Sequence, residues 1–370
     1  MKPNSFWQHA IARKPATYIP DHNVSVRHNF AALENDFGVS PAVTKALKTI
    51  HKLPLNHYPD RNAEALRTKI AHWLELTPDM IVLGNGSDEL ISLIAEVFVE
   101  PGSSVVVQTA TFFRIIEAVQ KMKGVITAVA AQKDRRFALD MQFADEIIRV
   151  ARKSHATVVW LCTPNNPTGV VMDLSLIDRI AGSTKALVVV DEAYQELWDP
   201  QNKKSAVTLL AKHENLIVTK TFSKAFGLAA IRVGMMLGNP DLISAIDAWR
   251  LNFPLSSVSL RIAEAALDDT NHLVRIHRNV LREREFLFSH IAKLPMLELG
   301  AVSKTNVFLL RHKTKNLHEL LLKQGVMTAD FNHMNGVERM RFVRITVKRR
   351  KENRALIQAL VACAEEGKTV

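Results

Sequence analysis

The sequence predicts an α/β protein: a large domain built on a mostly parallel mixed sheet between helices, then a smaller α+β domain at the C-terminus. Three observations lead there. Short runs such as Val158-Val159-Trp160-Leu161-Cys162-Thr163 and Ala186-Leu187-Val188-Val189-Val190 are apolar without alternation, as expected of strands covered on both faces. Helical patterns, for example over residues 139–153, separate such runs, which is the mark of crossover connections. With 370 residues, the chain is longer than one hydrophobic core usually serves, so two domains are expected.

Residues 1–30 carry Pro3, Pro15 and Pro20 without clear periodicity and read as an N-terminal arm lying over something else. Residues 33–38 form a turn, and a helix starts near Pro41, where proline suits the first helical turn. Helical spacing over 61–76 precedes a strand at 80–83. Gly84-Asn85-Gly86-Ser87-Asp88-Glu89 then opens a helix that runs to Val99. Further strands are expected at 105–108, 125–130, 158–163, 187–190, 216–221 and 233–237. The large domain is placed at 31–250 and the small one at 251–370, with the boundary inside the segment 241–267, which reads as helical around Pro254. Strands at 306–310 and 341–347 belong to the smaller domain.

Composition narrows the class. A hydrophobic share of 47% and a charged share of 23% are ordinary for a soluble globular chain. Apolar stretches are all too short for a membrane span, and Met1-Lys2-Pro3-Asn4-Ser5-Phe6-Trp7 has no signal-peptide core. Cys162 and Cys363 are too few for a disulfide framework and suit a reducing cytoplasm. His/Cys spacing gives no zinc site, and His9, His22, His28 and His57 read as surface or hydrogen-bonded histidines. The net charge of +11 gathers late, at 311–315 and 348–351. Without interleaved aromatics or a nucleic-acid module these runs read as a solvated face, and neither nucleic acid nor membrane is an expected partner.

Chemistry concentrates at strand ends. Thr221-Phe222-Ser223-Lys224-Ala225-Phe226-Gly227-Leu228, with Arg232 beyond it, puts one lysine after an apolar strand and near a cation. A lysine so placed is poised to lose its proton and attack a carbonyl carbon. The run 186–190 delivers Asp191 and Glu192 at its carboxyl end, with Tyr194 close behind. Ligands of open α/β sheets bind at that edge, and a carboxylate there needs a cationic partner. Pro164-Asn165-Asn166-Pro167-Thr168-Gly169 makes a rigid turn at another strand end and fixes an amide side chain.

Together these motifs resemble the fold-type-I pyridoxal-phosphate (PLP) enzymes, and most closely the histidinol-phosphate aminotransferase group of the class I/II aminotransferases. The likeness runs from about Tyr18 to Asn353. It implies a PLP-dependent aminotransferase of the histidinol-phosphate/glutamate type, working as a homodimer with shared active sites on a small-molecule amino donor and a keto acceptor. An aromatic or other amino-acid aminotransferase stays open as an alternative. So does a PLP decarboxylase like threonine-phosphate decarboxylase.

The resemblance also implies roles. Gly86, Ser87 and Asp88 would seat the phosphate at a helix start, with Thr221, Ser223 and Arg232 completing the cradle. Asp191 would pair with the pyridine nitrogen, Asn166 and Tyr194 with the phenolic oxygen, and Phe112 would stack on the ring. Lys224 is the expected covalent anchor and proton carrier, with Asp191 and Tyr194 as the other catalytic residues. Tyr58 would reach the phosphate of a neighbouring subunit, while Tyr18, Asn166 and Arg344 would hold the substrate. Three positions depart from the family pattern. Ala110 replaces a proline, which predicts a less rigid loop before Phe112. Ala329 stands where a second anion-binding arginine is expected, and Lys348 replaces a glycine.

Overall fold

The computed structural model describes residues 26–332, 334 and 336–365. Tyr18 and nearly all of the N-terminal arm therefore lie outside the described residues. In chain order the strands are β1 (His28–Asn29), β2 (Ile81–Asn85), β3 (Ser104–Thr109), β4 (Val125–Ala130), β5 (Val158–Cys162), β6 (Leu187–Asp191) and β7 (Leu216–Thr221). They continue with β8 (Val233–Gly238), β9 (Leu297–Leu299), β10 (Val307–His312), β11 (Val326–Met327), β12 (Ala329–Asp330) and β13 (Val343–Thr346). The helices are α1 (Pro41–Leu47), α2 (Glu64–Leu74), α3 (Gly86–Phe98), α4 (Phe113–Lys121), α5 (Met141–Lys153) and α6 (Leu174–Ser183). After them come α7 (Gln195–Trp198), α8 (Pro240–Trp249), α9 (Ser257–Leu267), α10 (Asn271–Ile291), α11 (Leu317–Lys323) and α12 (Arg350–Glu365).

The large sheet has the order β2-β8-β7-β6-β5-β3-β4. Strands β3 to β7 pair in parallel, whereas β8 is antiparallel to both β7 and β2. Six strands therefore end at one edge, and β8 alone begins there. Residues alternate between the faces. Val158, Trp160, Leu187 and Val189 pack under α3, α4 and α8. Val159, Leu161, Val188 and Val190 pack on the other face with α5, α6 and α9. Helix α5 is fixed at its start by Asp140, whose carboxylate accepts from Phe143 N at 3.2 Å, a cap that satisfies an otherwise orphaned donor.

Pro254 separates α8 from α9, and α9 packs against α1 and α2. The small sheet, β12-β13-β10-β9, is antiparallel. Its core brings Leu287 and Ile291 of α10, Leu317 and Leu321 of α11, and Leu356 and Leu360 of α12 against Phe308, Leu310 and Val343. Strand β1 pairs in parallel with β11, tying the end of the arm to this second unit. Among the described residues no helix is long and apolar enough to cross a membrane.

Candidate active site

The sheet turns its connections at the β3–β5 boundary: the chain leaves β3 toward β4 on one side, and β5 leads to β6 and β7 on the other. A crevice opens at such a switch point, beyond the carboxyl ends of the strands. Ser87, Asp88, Phe112, Asn166, Asp191, Tyr194, Ser223, Lys224 and Arg232 all line it. The antiparallel run of β8 explains Arg232. Because Asn85 pairs with Val233 and Thr221 with Gly234, the residue preceding β8 arrives at the edge where the other strands finish.

Helix α3 supplies one wall. Its N-cap Asn85 makes no side-chain cap, so the first-turn N–H groups are open to an anion, with the helix dipole behind them. Gly86 has φ +74°, and a Cβ there would lie 2.4 Å from Arg232 Nη2. A Cβ on Gly234 would meet Gly86 C at 2.6 Å. The cradle therefore requires both glycines. Arg232 Nη2 donates to Asp88 Oδ2 at 3.1 Å. Thr221 Oγ1 lies 3.0 Å from Ser223 Oγ and 3.3 Å from the Val233 carbonyl oxygen, so it stands behind Ser223 rather than on the cavity wall.

Asp191 is the buried anion of the site, 2% exposed. Ala193 N–H donates to its Oδ1 at 3.1 Å and Thr219 Oγ1 at 3.3 Å. Both contacts fall on Oδ1, which leaves Oδ2 for a cation. Burial pushes this carboxyl up to about 6, with Glu192 adding to the rise, while Ala193, Thr219 and Lys224 oppose it.

Lys224 Nζ donates to the Leu33 carbonyl at 3.0 Å and stands over the Tyr194 ring at 5.8 Å. Burial lowers its ammonium to about 8, and Arg344 and Arg232 push the same way. The free amine is thus available above about pH 8 rather than above the ordinary 10.5. Covalent loading of the apo protein with PLP is accordingly expected to speed up about tenfold per pH unit below that value and to level off above it. Stopped-flow absorbance measures this, and a rise that continues to pH 10 would contradict the buried amine.

Arg344 on β13 is fully buried. Its Nη1 donates to Asn166 Oδ1 at 2.8 Å and its Nη2 to the Ala31 carbonyl at 2.7 Å, with the guanidinium 5.1 Å over the Phe331 ring. The predicted substrate arginine is therefore joined to the turn after β5. Ala329 sits directly across from it in the β12–β13 register. Lys348 does not take the place of a second arginine, because its Nζ pairs with Asp36 Oδ2 at 2.9 Å.

The expected looseness at Ala110 is not found. Its carbonyl accepts from Asn165 Nδ2 at 2.9 Å, and it is 1% exposed. Gly336 presses so close that a Cβ there would meet Ala110 N at 2.7 Å. Packing holds what proline would have held. Tyr58 lies outside the crevice: it is 83% exposed and stacked on Phe253, with ring centroids 4.6 Å apart.

Sequence reasoning missed Leu33, Cys162 and Thr219. Leu33 offers only a backbone carbonyl, which no side-chain motif reveals. Cys162 lines the crevice opposite Asp191 in the β5–β6 register, and burial raises its thiol far above the ordinary range. Thr219 was detectable, since its place two residues before Thr221 puts it on the same strand face.

A lysine amine, a buried carboxylate and an open helix start around one crevice on this sheet define the fold-type-I PLP enzymes. The chain belongs to the aminotransferase class I and II family, whose model matches residues 28–360. It is 33% identical over 342 residues to the histidinol-phosphate aminotransferase of Thermoanaerobacter pseudethanolicus, covering 92% of this chain and 93% of that one. The enzyme of the same description from Caldanaerobacter subterraneus is 34% identical over 91% of this chain and 93% of its own length. The crystal structure of histidinol-phosphate aminotransferase from Sinorhizobium meliloti in complex with pyridoxal-5'-phosphate superposes with a TM-score of 0.82 at 25% identity, covering 92% of each chain.

The protein is a PLP-dependent transaminase, and its residues fit that cofactor. The carboxylate of Asp191 lacks an ion-pair partner among the described residues and suits a protonated ring nitrogen. The absence of a Cβ at Gly86 lets the Arg232 guanidinium lie against the start of α3, and that pairing of a cation with a helix start suits a phosphate.

Proposed function

We propose that the chain is an aminotransferase of the histidinol-phosphate type, with a glutamate-like second partner in a two-half-reaction cycle. The observation that carries this reading is the crevice lined by an amine of lowered basicity and a buried carboxylate, with the guanidinium of Arg344 fully buried behind Asn166, which lines it. PLP, when bound, supplies a sink for the electron pair left at the donor carbon. The first turn of α3, Ser223 and Arg232 would hold its phosphate, and Asp191 Oδ2 its ring nitrogen. Phe112 would cover one ring face, while Asn166 and Tyr194 hydrogen-bond at the ring edge. Lys224 Nζ would take the proton from the amino-bearing carbon and return one during the reverse half of the cycle. Arg344 would orient the donor by its anionic end.

Tyr58, Phe253, Trp249 and Leu251 form an exposed apolar group on the surface. It supports a homodimer in which Tyr58 serves the partner's phosphate site. Two free, buried cysteines suit a cytoplasmic enzyme.

Ala329 favours a second reading, in which the donor carries a singly charged carboxylate, as aromatic or other amino acids do. Among the described residues Arg344 is the cation expected at that end, since Ala329 across from it carries no charge and Lys348 is tied to Asp36. A donor screen of wild type and Ala329→Arg decides between them, following conversion of bound PLP to its amine form. If histidinol phosphate is the natural donor, wild type prefers it and the variant gains little. If a carboxylate donor is natural, the added arginine improves turnover of the phosphorylated donor by about 10- to 100-fold, the worth of one charge-assisted contact. Absence of conversion with any amino donor would reject the aminotransferase reading.

A further inference from the structure

Behind the crevice lies a charge cluster that the reaction scheme does not use. Strand alternation puts Thr219 and Thr221 of β7 toward Asp191 and turns Lys220 away from it. There Lys220 is 1% exposed. Its Nζ lies 2.9 Å from Glu192 Oε2, 2.8 Å from Glu196 Oε1 and 2.9 Å from Asn202 Oδ1. Glu192 accepts in addition from Ser205 Oγ at 2.5 Å and Ala206 N at 2.6 Å.

These contacts share one segment. Glu192 directly follows Asp191, Glu196 sits in α7 two residues after Tyr194, and Asn202 and Ser205 lie on the return toward β7. One ammonium thus gathers the strand end, the short helix and the loop that carry two of the expected catalytic side chains. Burial pushes the Glu196 carboxyl up and pulls on the Lys220 ammonium, yet the two carboxylates hold that ammonium above the ordinary lysine range. Lys220 stays charged, and its charge is what keeps two dry carboxylates together.

We infer that Lys220 is a positioning residue for the reaction: by drawing Glu192, Glu196 and Asn202 to one point it fixes the segment from which Asp191 and Tyr194 project. The inference rests on the aminotransferase reading above. Without the ammonium, the two carboxylates repel or take up protons, and the segment relaxes. A shift of about 1 Å at a catalytic group costs on the order of a hundredfold in rate.

The test uses the purified full-length enzyme and three variants. Lys220→Met is expected to lower kcat by about 10- to 100-fold and to weaken PLP binding at least about tenfold, while donor KM changes less than about twofold. PLP binding is read by tryptophan quenching in the apo protein. Lys220→Arg, which keeps the charge, should stay within about threefold of wild type on both measures. Native kcat and PLP affinity in Lys220→Met, even with a lower Tm, would overturn the inference, and so would a failure of Lys220→Arg to recover either. Should Lys220→Met not fold, Asn202→Gly decides, because it removes one leg at a backbone φ of +55° that glycine accepts. A loss of about three- to tenfold in kcat and PLP affinity supports the inference there, and no loss rejects it. A wild-type enzyme inactive with every donor would fail the parent reading instead, whatever the variants do.

Discussion

Lys224→Ala is expected to abolish transamination while leaving the fold intact. Among the described residues its side chain makes one hydrogen bond, to the Leu33 carbonyl, and removing it relieves the crowding of cations with Arg344 and Arg232. Stability should therefore hold or rise slightly. The chemical loss is expected to be large because the proposal gives one amine two duties, anchoring the cofactor and moving the donor proton. Removing a general base alone costs about 10²–10⁴-fold, and losing the nucleophile as well puts the combined drop at or beyond the upper end. Two measurements check this. Steady-state turnover should fall by at least about 10⁴-fold. After borohydride treatment and denaturation, the variant should carry no added cofactor mass, whereas wild type carries it at Lys224. Cofactor retained at another residue would remove the anchor from position 224.

Asp191→Asn should produce the second-largest effect. The amide keeps the size of the side chain and can still accept from Ala193 N–H and Thr219 Oγ1, but it cannot hold a positive charge at the ring nitrogen. A decrease of about 10²–10³-fold in kcat is expected, the scale of one lost electrostatic contact in a dry site. The same change separates charge from shape through stability. A carboxyl whose folded value is raised from 3.8 to about 6 binds a proton in the folded state that the unfolded chain has released. Its contribution is neutral below about pH 4, becomes a penalty as pH rises through 6, and is constant above that. The apo Asn variant should therefore match wild type near pH 4 and exceed it by about 3 kcal/mol above pH 6. PLP should erase most of that gap by giving Asp191 its partner. Equal pH profiles of Tm for the two apo proteins would mean that Asp191 is not a desolvated carboxylate.

Much of this arrangement was legible in the residues. The apolar runs that became β5, β6 and β7 end in Asn166, Asp191 and Lys224, and parallel strands necessarily bring such ends to one edge. The helix starting at Gly86 was equally plain from its glycines. What could not be read was direction and long-range contact. No local pattern states that β8 runs against its neighbours, although Arg232 reaches the crevice only for that reason. The junction of Arg344 with Asn166 spans 178 residues and depends on how the small sheet docks. The rigidity of the Ala110 loop escaped for a similar cause, since Gly336 and Asn165 supply it from far along the chain. Lys220 left a trace that was passed over: a lysine sharing a strand face with Leu216 and Val218 must be buried and must find an anion. Glu192, one residue beyond the Asp191–Thr219 pair, is that anion.

The interlock of Gly86 with Gly234 has a consequence for biogenesis. The proposed seat for the phosphate draws on two stretches almost 150 residues apart, and neither half would present it alone. On that proposal, cofactor capture would wait until the polypeptide has been synthesised past β8 and that strand has slotted in between β2 and β7. Chains that stop short of this point would circulate without the vitamin-derived group. Its uptake would mark the moment at which the main sheet closes.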